Sequence, residues 1–255
     1  MQRLDKFLTN NTELTRSEAV KAIKLGRVKV DELVITKNDL KIDESRSKVF
    51  LDGNVIKYDK YIYIMLNKPS GIVSATNDKN ERTVVDLLPE VYSKRGIFPC
   101  GRLDKDTVGL LILTNDGANA HRLLAPKNHI SKTYEFVCEL PLTEDIIKAI
   151  EAGVVLKDGY KTKPCKIEKI SNISGKITIF EGKYHEIKRI FGAMGNKIIF
   201  LKRVSFGNIC LDNNLMYGEF RELNDSEKDY FIGKTEWNIV FIIYLLYEYL
   251  FIYHI

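Results

Sequence analysis

Residues 101–117 read G-R-L-D-K-D-T-V-G-L-L-I-L-T-N-D-G and leave the chain few ways to fold there. The apolar run from Val108 to Leu113 is short, contains Gly109 and stops at Asn115-Asp116-Gly117. That pattern predicts a buried strand, not a helix. Ahead of it lies a polar loop, Arg102 to Thr107, with a glycine on either side. Glycine accepts backbone angles that side chains forbid. A loop holding an arginine and two acids against a buried strand suits a rigid chemical group.

Net charge narrows the partner class. The 255 residues carry 39 Lys and Arg against 34 Asp and Glu, a net charge of +5. The excess is local: residues 161–203 hold eleven Lys and Arg against three Asp and Glu. Such a block favours a polyanion over a small acidic ligand, although a solvated face is the plain alternative. Cys100, Cys138, Cys165 and Cys210 stand far apart with no C-x-x-C pair, so neither a zinc site nor a redox motif is expected. The N-terminus lacks the apolar core of a secretory signal, which fits a reducing cytoplasm.

Periodicity predicts a short helix from Arg3 and a second from Thr15, where Glu18 completes a capping box and Gly26 ends the helix. Arg27 to Val30 alternates as a half-buried strand, and Asp52-Gly53 marks a hairpin turn. A linker is expected at 57–60. Next come a strand over 61–66, a turn over 67–71 and a short helix over 84–88 ended by Pro89. Helices are expected over 118–124 and 143–153, and strands over 134–138 and 176–180.

The 101–117 stretch resembles the signature of the RsuA-type pseudouridine synthases, bacterial enzymes acting on ribosomal RNA. L-N-K-P-S-G at 66–71 resembles that family's first motif, K-T-Y at 132–134 its second, and E-G-K-Y-H-E-I-K-R-I at 181–190 its third. R-L-D-K-F-L at 3–8, T-R-S-E-A at 15–19 and G-R-V-K-V-D at 26–31 resemble the small RNA-binding domain of the ribosomal-protein S4 type. The resemblance implies an α+β chain: an S4-type domain over 1–58, then a synthase domain over 61–232. The latter would have a mixed, mainly antiparallel sheet flanked by helices and loops. It also implies roles. Asp104 is the catalytic aspartate, with Arg102 beside it facing RNA. Tyr134 stacks on the target base. Lys188 brings a cation to the carboxylate, with Arg189 as the fallback, because many relatives carry arginine there. Arg16, Lys21, Lys24, Arg27, Lys68, His185 and Arg189 contact RNA, and His121 and Arg122 lie near it. Lys105, Asp106 and Thr107 serve the loop's structure.

The implied reaction cuts uracil from its sugar, rotates it and rejoins it through carbon, with no cofactor and no metal. The partner is ribosomal RNA or a subunit assembly intermediate, probed by a monomeric cytoplasmic enzyme. Small-subunit 16S RNA is favoured over the 23S RNA of the large subunit, and a non-catalytic ribosome-associated RNA-binding protein is the other alternative. Residues 233–255 form an atypical apolar tail. From Trp237 onward Glu248 is its one formal charge, and as a helix this stretch would measure about 28 Å, close to a bilayer core. It reads as a membrane anchor, as a segment packed on the body or on a second copy, or as an altered reading frame. The last is preferred, because the family pattern ends near Phe231.

Overall fold

The computed structural model describes residues 1–234, so the apolar segment at 237–255 and its three readings lie outside the described residues. Backbone contacts divide the chain into two units. One is Met1–Gly117 with Leu215–Phe220, and the other is Ala118–Asn214 with the residues from Arg221 onward.

In the first unit, α1 (Leu4–Asn11) and α2 (Arg16–Lys24) form a helix pair. The expected capping box starts α2: the Glu18 amide donates to Thr15 Oγ1 at 3.4 Å, and the Thr15 amide donates to Glu18 Oε2 at 2.8 Å. Leu4, Phe7 and Leu8 pack with Ala19, Ala22 and Ile23 over Val28, Val30 and Val49. The last three lie on β1 (Val28–Val30) and β3 (Val49–Leu51). These strands pair antiparallel, with β2 (Leu33–Val34) and β4 (Asn54–Val55) outside them. Asp52 and Gly53, at φ 51° and 82°, make the two-residue turn between β3 and β4.

Burying the apolar stripes leaves Arg16, Lys21 and Lys24 exposed on the helix pair. If they meet RNA phosphates, replacing all three with glutamine should flatten the dependence of log K on log salt by about 2 to 3. RNA binding measured across a salt series checks this, and an unchanged slope removes the helix pair from the interface.

The 61–66 strand runs two residues further than expected. As β5 (Tyr63–Lys68) it includes Asn67 and Lys68 and is buried at every position. After α3 (Glu90–Lys94), β6 (Phe98–Cys100) and β7 (Val108–Thr114) complete an antiparallel set in which β7 pairs with both β5 and β6. The register sets Leu66 opposite Leu111 and Lys68 opposite Gly109. Every residue of β7 is buried, as its apolar run predicts. The helix expected over 84–88 is one 3-10 turn, Val85–Leu87. That turn stops just ahead of Pro89, as expected, with Leu88 extended before the proline, and Pro89 also occupies the N-cap position of α3.

Arg95, just after α3, joins the helix pair to this strand set. Its guanidinium donates to Asn11 Oδ1 at 2.6 Å and to the Asp59 carbonyl, and lies 5.1 Å from the Tyr58 ring. Asn115 accepts from the Ile62 amide at 2.8 Å and donates to the carbonyls of Lys60 and Arg95, each at 3.3 Å. These bonds fasten the 57–60 segment, which is why residues 1–58 group with the strands that follow them.

In the second unit, α4 (Gly117–Leu124) leads to four antiparallel strands: β8 (Lys132–Cys138), β9 (Lys166–Lys169), β10 (Ser174–Ile179) and β11 (Ile198–Phe206). Their order is β9-β10-β8-β11. Helices α5 (Glu144–Glu151), α6 (Glu186–Ala193) and α7 (Asp225–Ile232) accompany them. Tyr134, Phe136 and Cys138 point to the buried face of β8, where Phe136 meets Phe191 of α6 edge-on at 4.9 Å. Among the described residues no helix is long and apolar enough to cross a membrane.

Candidate active site

The 102–107 loop is held from below by a lysine. Lys68 was expected to meet RNA, and the structure corrects that: its side chain is 0% exposed. The ammonium donates to the carbonyl oxygens of Pro69, Asp104, Lys105 and Thr107 at 3.1, 3.2, 3.1 and 3.0 Å. A cation so enclosed is offset by carbonyl dipoles and cannot reach a phosphate. Ser74 Oγ donates to the Leu103 carbonyl at 2.9 Å and accepts from the Leu103 amide at 3.1 Å. The Gly71 amide donates to the Lys105 carbonyl at 2.8 Å. Gly101 and Gly109, at φ 85° and 97°, turn the backbone at the two ends. Asp104 is thus half-buried on a loop whose backbone is pinned on several sides, and Arg102 is exposed beside it. Lys105 pairs with Glu81 at 2.8 Å on the surface.

The T-N-D-G end of the signature is a clamp. The Tyr63 hydroxyl donates to Asp116 Oδ2 at 2.7 Å, and the Asp116 amide donates to Thr114 Oγ1 at 3.0 Å. Burial, together with the Asp116 carboxylate, pushes the Tyr63 hydroxyl well above the ordinary tyrosine range. Of the cations expected at RNA in this unit, Arg27 differs from Arg16, Lys21 and Lys24. It forms a two-pronged pair with Asp52, at 2.7 and 2.5 Å, which offsets its charge.

The second unit carries the other two motifs. Tyr134 is 7% exposed and stands opposite Ile177 on β10 and Arg203 on β11. Lys188 lies half-buried in the first turn of α6. Arg189 donates to Asp158 and, at 3.4 Å, to the Tyr184 carbonyl. His185 precedes α6 in a left-handed backbone conformation, φ 47° and ψ 36°. His121 and Arg122 lie in α4, and Arg122 donates to the Phe231 carbonyl.

Sequence reasoning missed the buried acids beneath this motif. Glu181 accepts from the Tyr160 hydroxyl at 2.6 Å and from the Lys163 amide at 3.0 Å, and Glu186 accepts from the Lys183 amide at 2.7 Å. Burial, then the neighbouring Glu181, pushes the Glu186 carboxyl up to about 7, against nearby Lys132. Glu181 is held below the usual carboxylate range by its donors despite burial. A raised carboxyl favours folding most below its unfolded value, and that contribution is lost as pH rises through about 7. Glu186→Gln keeps the shape without the charge, so its Tm should fall less than the wild type's between about pH 5 and pH 8. Equal changes of Tm with pH in the two proteins would remove the raised carboxyl from the account.

Comparison with known proteins identifies the domains. The RNA pseudouridylate synthase family profile matches residues 62–193, and the S4 domain profile matches residues 2–46. An uncharacterized RNA pseudouridine synthase of Bacillus subtilis is 44% identical over 229 residues, 88% of this chain and 96% of the relative. The ribosomal small subunit pseudouridine synthase A of Vibrio cholerae is 40% identical over 226 residues, covering 88% and 97% of the two chains. A crystal structure of a pseudouridylate synthase matches with a TM-score of 0.64 and 36% identity, over 91% of this chain and all of that one. The chain belongs to the RNA pseudouridine synthase family. Within it, the chain is of the RsuA type, which the similarity to small subunit pseudouridine synthase A enzymes marks.

Proposed function

We propose that the protein isomerises a specific uridine of small-subunit ribosomal RNA to pseudouridine in the cytoplasm. The observation that carries the substrate is the match, over nearly the full length of both chains, to enzymes named for the small subunit. Residues 1–58 would dock RNA and residues 61–232 would perform the chemistry.

The target base must leave its helix, at a cost of a few kcal/mol. Arg102, exposed at the loop, fills the vacated place or holds the phosphate. Asp104 acts on the sugar, as nucleophile or as base at the two-prime carbon. A half-buried carboxylate on a pinned loop supports that role, because orientation is settled before substrate arrives. Tyr134 stacks on the uracil, and its depth suits a base that has to be enclosed. Lys188 supplies the third motif's cation. Arg189 is less suited, since its guanidinium is engaged by Asp158.

The test is incubation with small-subunit RNA carrying tritium at carbon five of uracil. Rejoining through that carbon releases the label, and mapping identifies the uridine. No release from small-subunit RNA, with release from large-subunit RNA, would move the substrate to the other subunit.

A further inference from the structure

We propose that Tyr184, stacked on His185, is a platform for an unpaired base of the RNA substrate. This rests on the synthase reading above and adds a contact to it. Tyr184 is 71% exposed, more than Tyr61, Phe200 or Tyr217. Its ring lies nearly parallel to the His185 ring, at 3.9 Å between centroids and 17° between planes. One face of the phenol is therefore occupied by imidazole and the other is open to solvent.

The pair stands on a fixed turn. His185 holds a left-handed backbone conformation at φ 47°, which side chains other than glycine resist by roughly 1–2 kcal/mol. Strain of this kind persists where the surroundings enforce it. Here the Lys183 amide is bound by buried Glu186 at 2.7 Å, the Arg189 amide donates to the His185 carbonyl at 2.9 Å, and the Arg189 guanidinium reaches the Tyr184 carbonyl. A platform that does not have to be ordered on binding loses little entropy when it is used.

The surroundings specify the ligand. Lys183 is exposed next to Tyr184, Lys188 follows four residues on, and both lie in the basic block of residues 161–203. A flat uncharged face on a segment rich in lysine and arginine fits a nucleobase on an anionic backbone. Base stacking is tolerant of sequence, since every base has a π face.

The test is binding of a small-subunit RNA transcript across a salt series, with Tyr184→Ala, Tyr184→Leu and Tyr184→Phe. Alanine and leucine should weaken binding by roughly ten- to a hundredfold at every salt concentration, and phenylalanine should stay close to wild type. The salt slope should not change, because stacking releases no counterions. Leucine keeps apolar bulk and lacks the ring, so wild-type affinity in that variant overturns the platform, and so does a loss that tracks the salt slope. With wild-type tritium release intact, such a failure leaves the synthase reading standing. No tritium release by the wild-type protein from any ribosomal RNA overturns both.

Discussion

Asp104→Asn should abolish pseudouridine formation, lowering turnover by about a thousandfold or more, in the upper range for removing a positioned acid–base or nucleophilic group. RNA affinity should stay within about twofold, since the variant removes no phosphate contact. What positions the loop at residue 104 is its main chain: the carbonyl accepts from Lys68 at 3.2 Å and from the Thr107 amide at 3.1 Å. An amide side chain leaves those bonds in place and keeps the shape of the carboxylate. The negative oxygen pair is lost, and both proposed roles, attack on the sugar and removal of its two-prime proton, need it. Asp106 is the control. It is exposed on the same loop, and Asp106→Asn should retain most activity. Tritium release under single-turnover conditions measures both variants. An Asp104→Asn enzyme with a tenth or more of wild-type turnover would take the catalytic role away from this residue.

Where local rules govern, the sequence could be read residue by residue. Thr15 and Glu18 cap α2 because side chain and amide lie within one helical turn. β7 is a buried strand because its run is apolar on both faces and ends at a turn. Asp52-Gly53 sits at positive φ, as a two-residue hairpin turn demands. The candidate site was legible only as motifs, and two parts of it were misread or missed. Lys68 follows four buried residues and an asparagine, and a lysine before Pro69 looks like a surface residue. Its burial depends on pairing with Gly109 and on four carbonyls, three of them more than thirty residues away. The Glu181 and Glu186 pair is invisible for a related reason. Two acids five apart read as solvated charges until the turn between them folds back and buries both. Arg95 likewise gives no local sign that it will bind Asn11, since that contact joins elements distant in sequence.

Lys68→Met tests the non-local part and should have the largest effect on stability. Methionine fills much of the same volume but removes the donor to four carbonyls: those of Asp104 and Lys105 keep the Thr107 and Gly71 amides, while those of Pro69 and Thr107 are left facing a thioether. Each buried acceptor left unsatisfied costs about 1–3 kcal/mol. An ammonium has three protons for these four oxygens, so at least one bond is shared and the sum is less than four separate terms. Relief from holding a charge out of water offsets part of the remainder. A net loss of about 3 kcal/mol is expected, which for a chain of this size lowers Tm by on the order of 10 °C. Turnover should fall by roughly a hundredfold even well below the new Tm, because the loop that aims Asp104 loses its anchor and small misplacements of a reacting group are costly. Lys68→Arg should not rescue it: the charge survives, but a longer planar fork does not fit a cradle built around a point donor. Melting curves and single-turnover rates at a fixed low temperature separate the two effects. Should Lys68→Met keep the wild-type Tm and lose only salt-dependent RNA affinity, the residue would return to the RNA surface and the 102–107 loop would need another support.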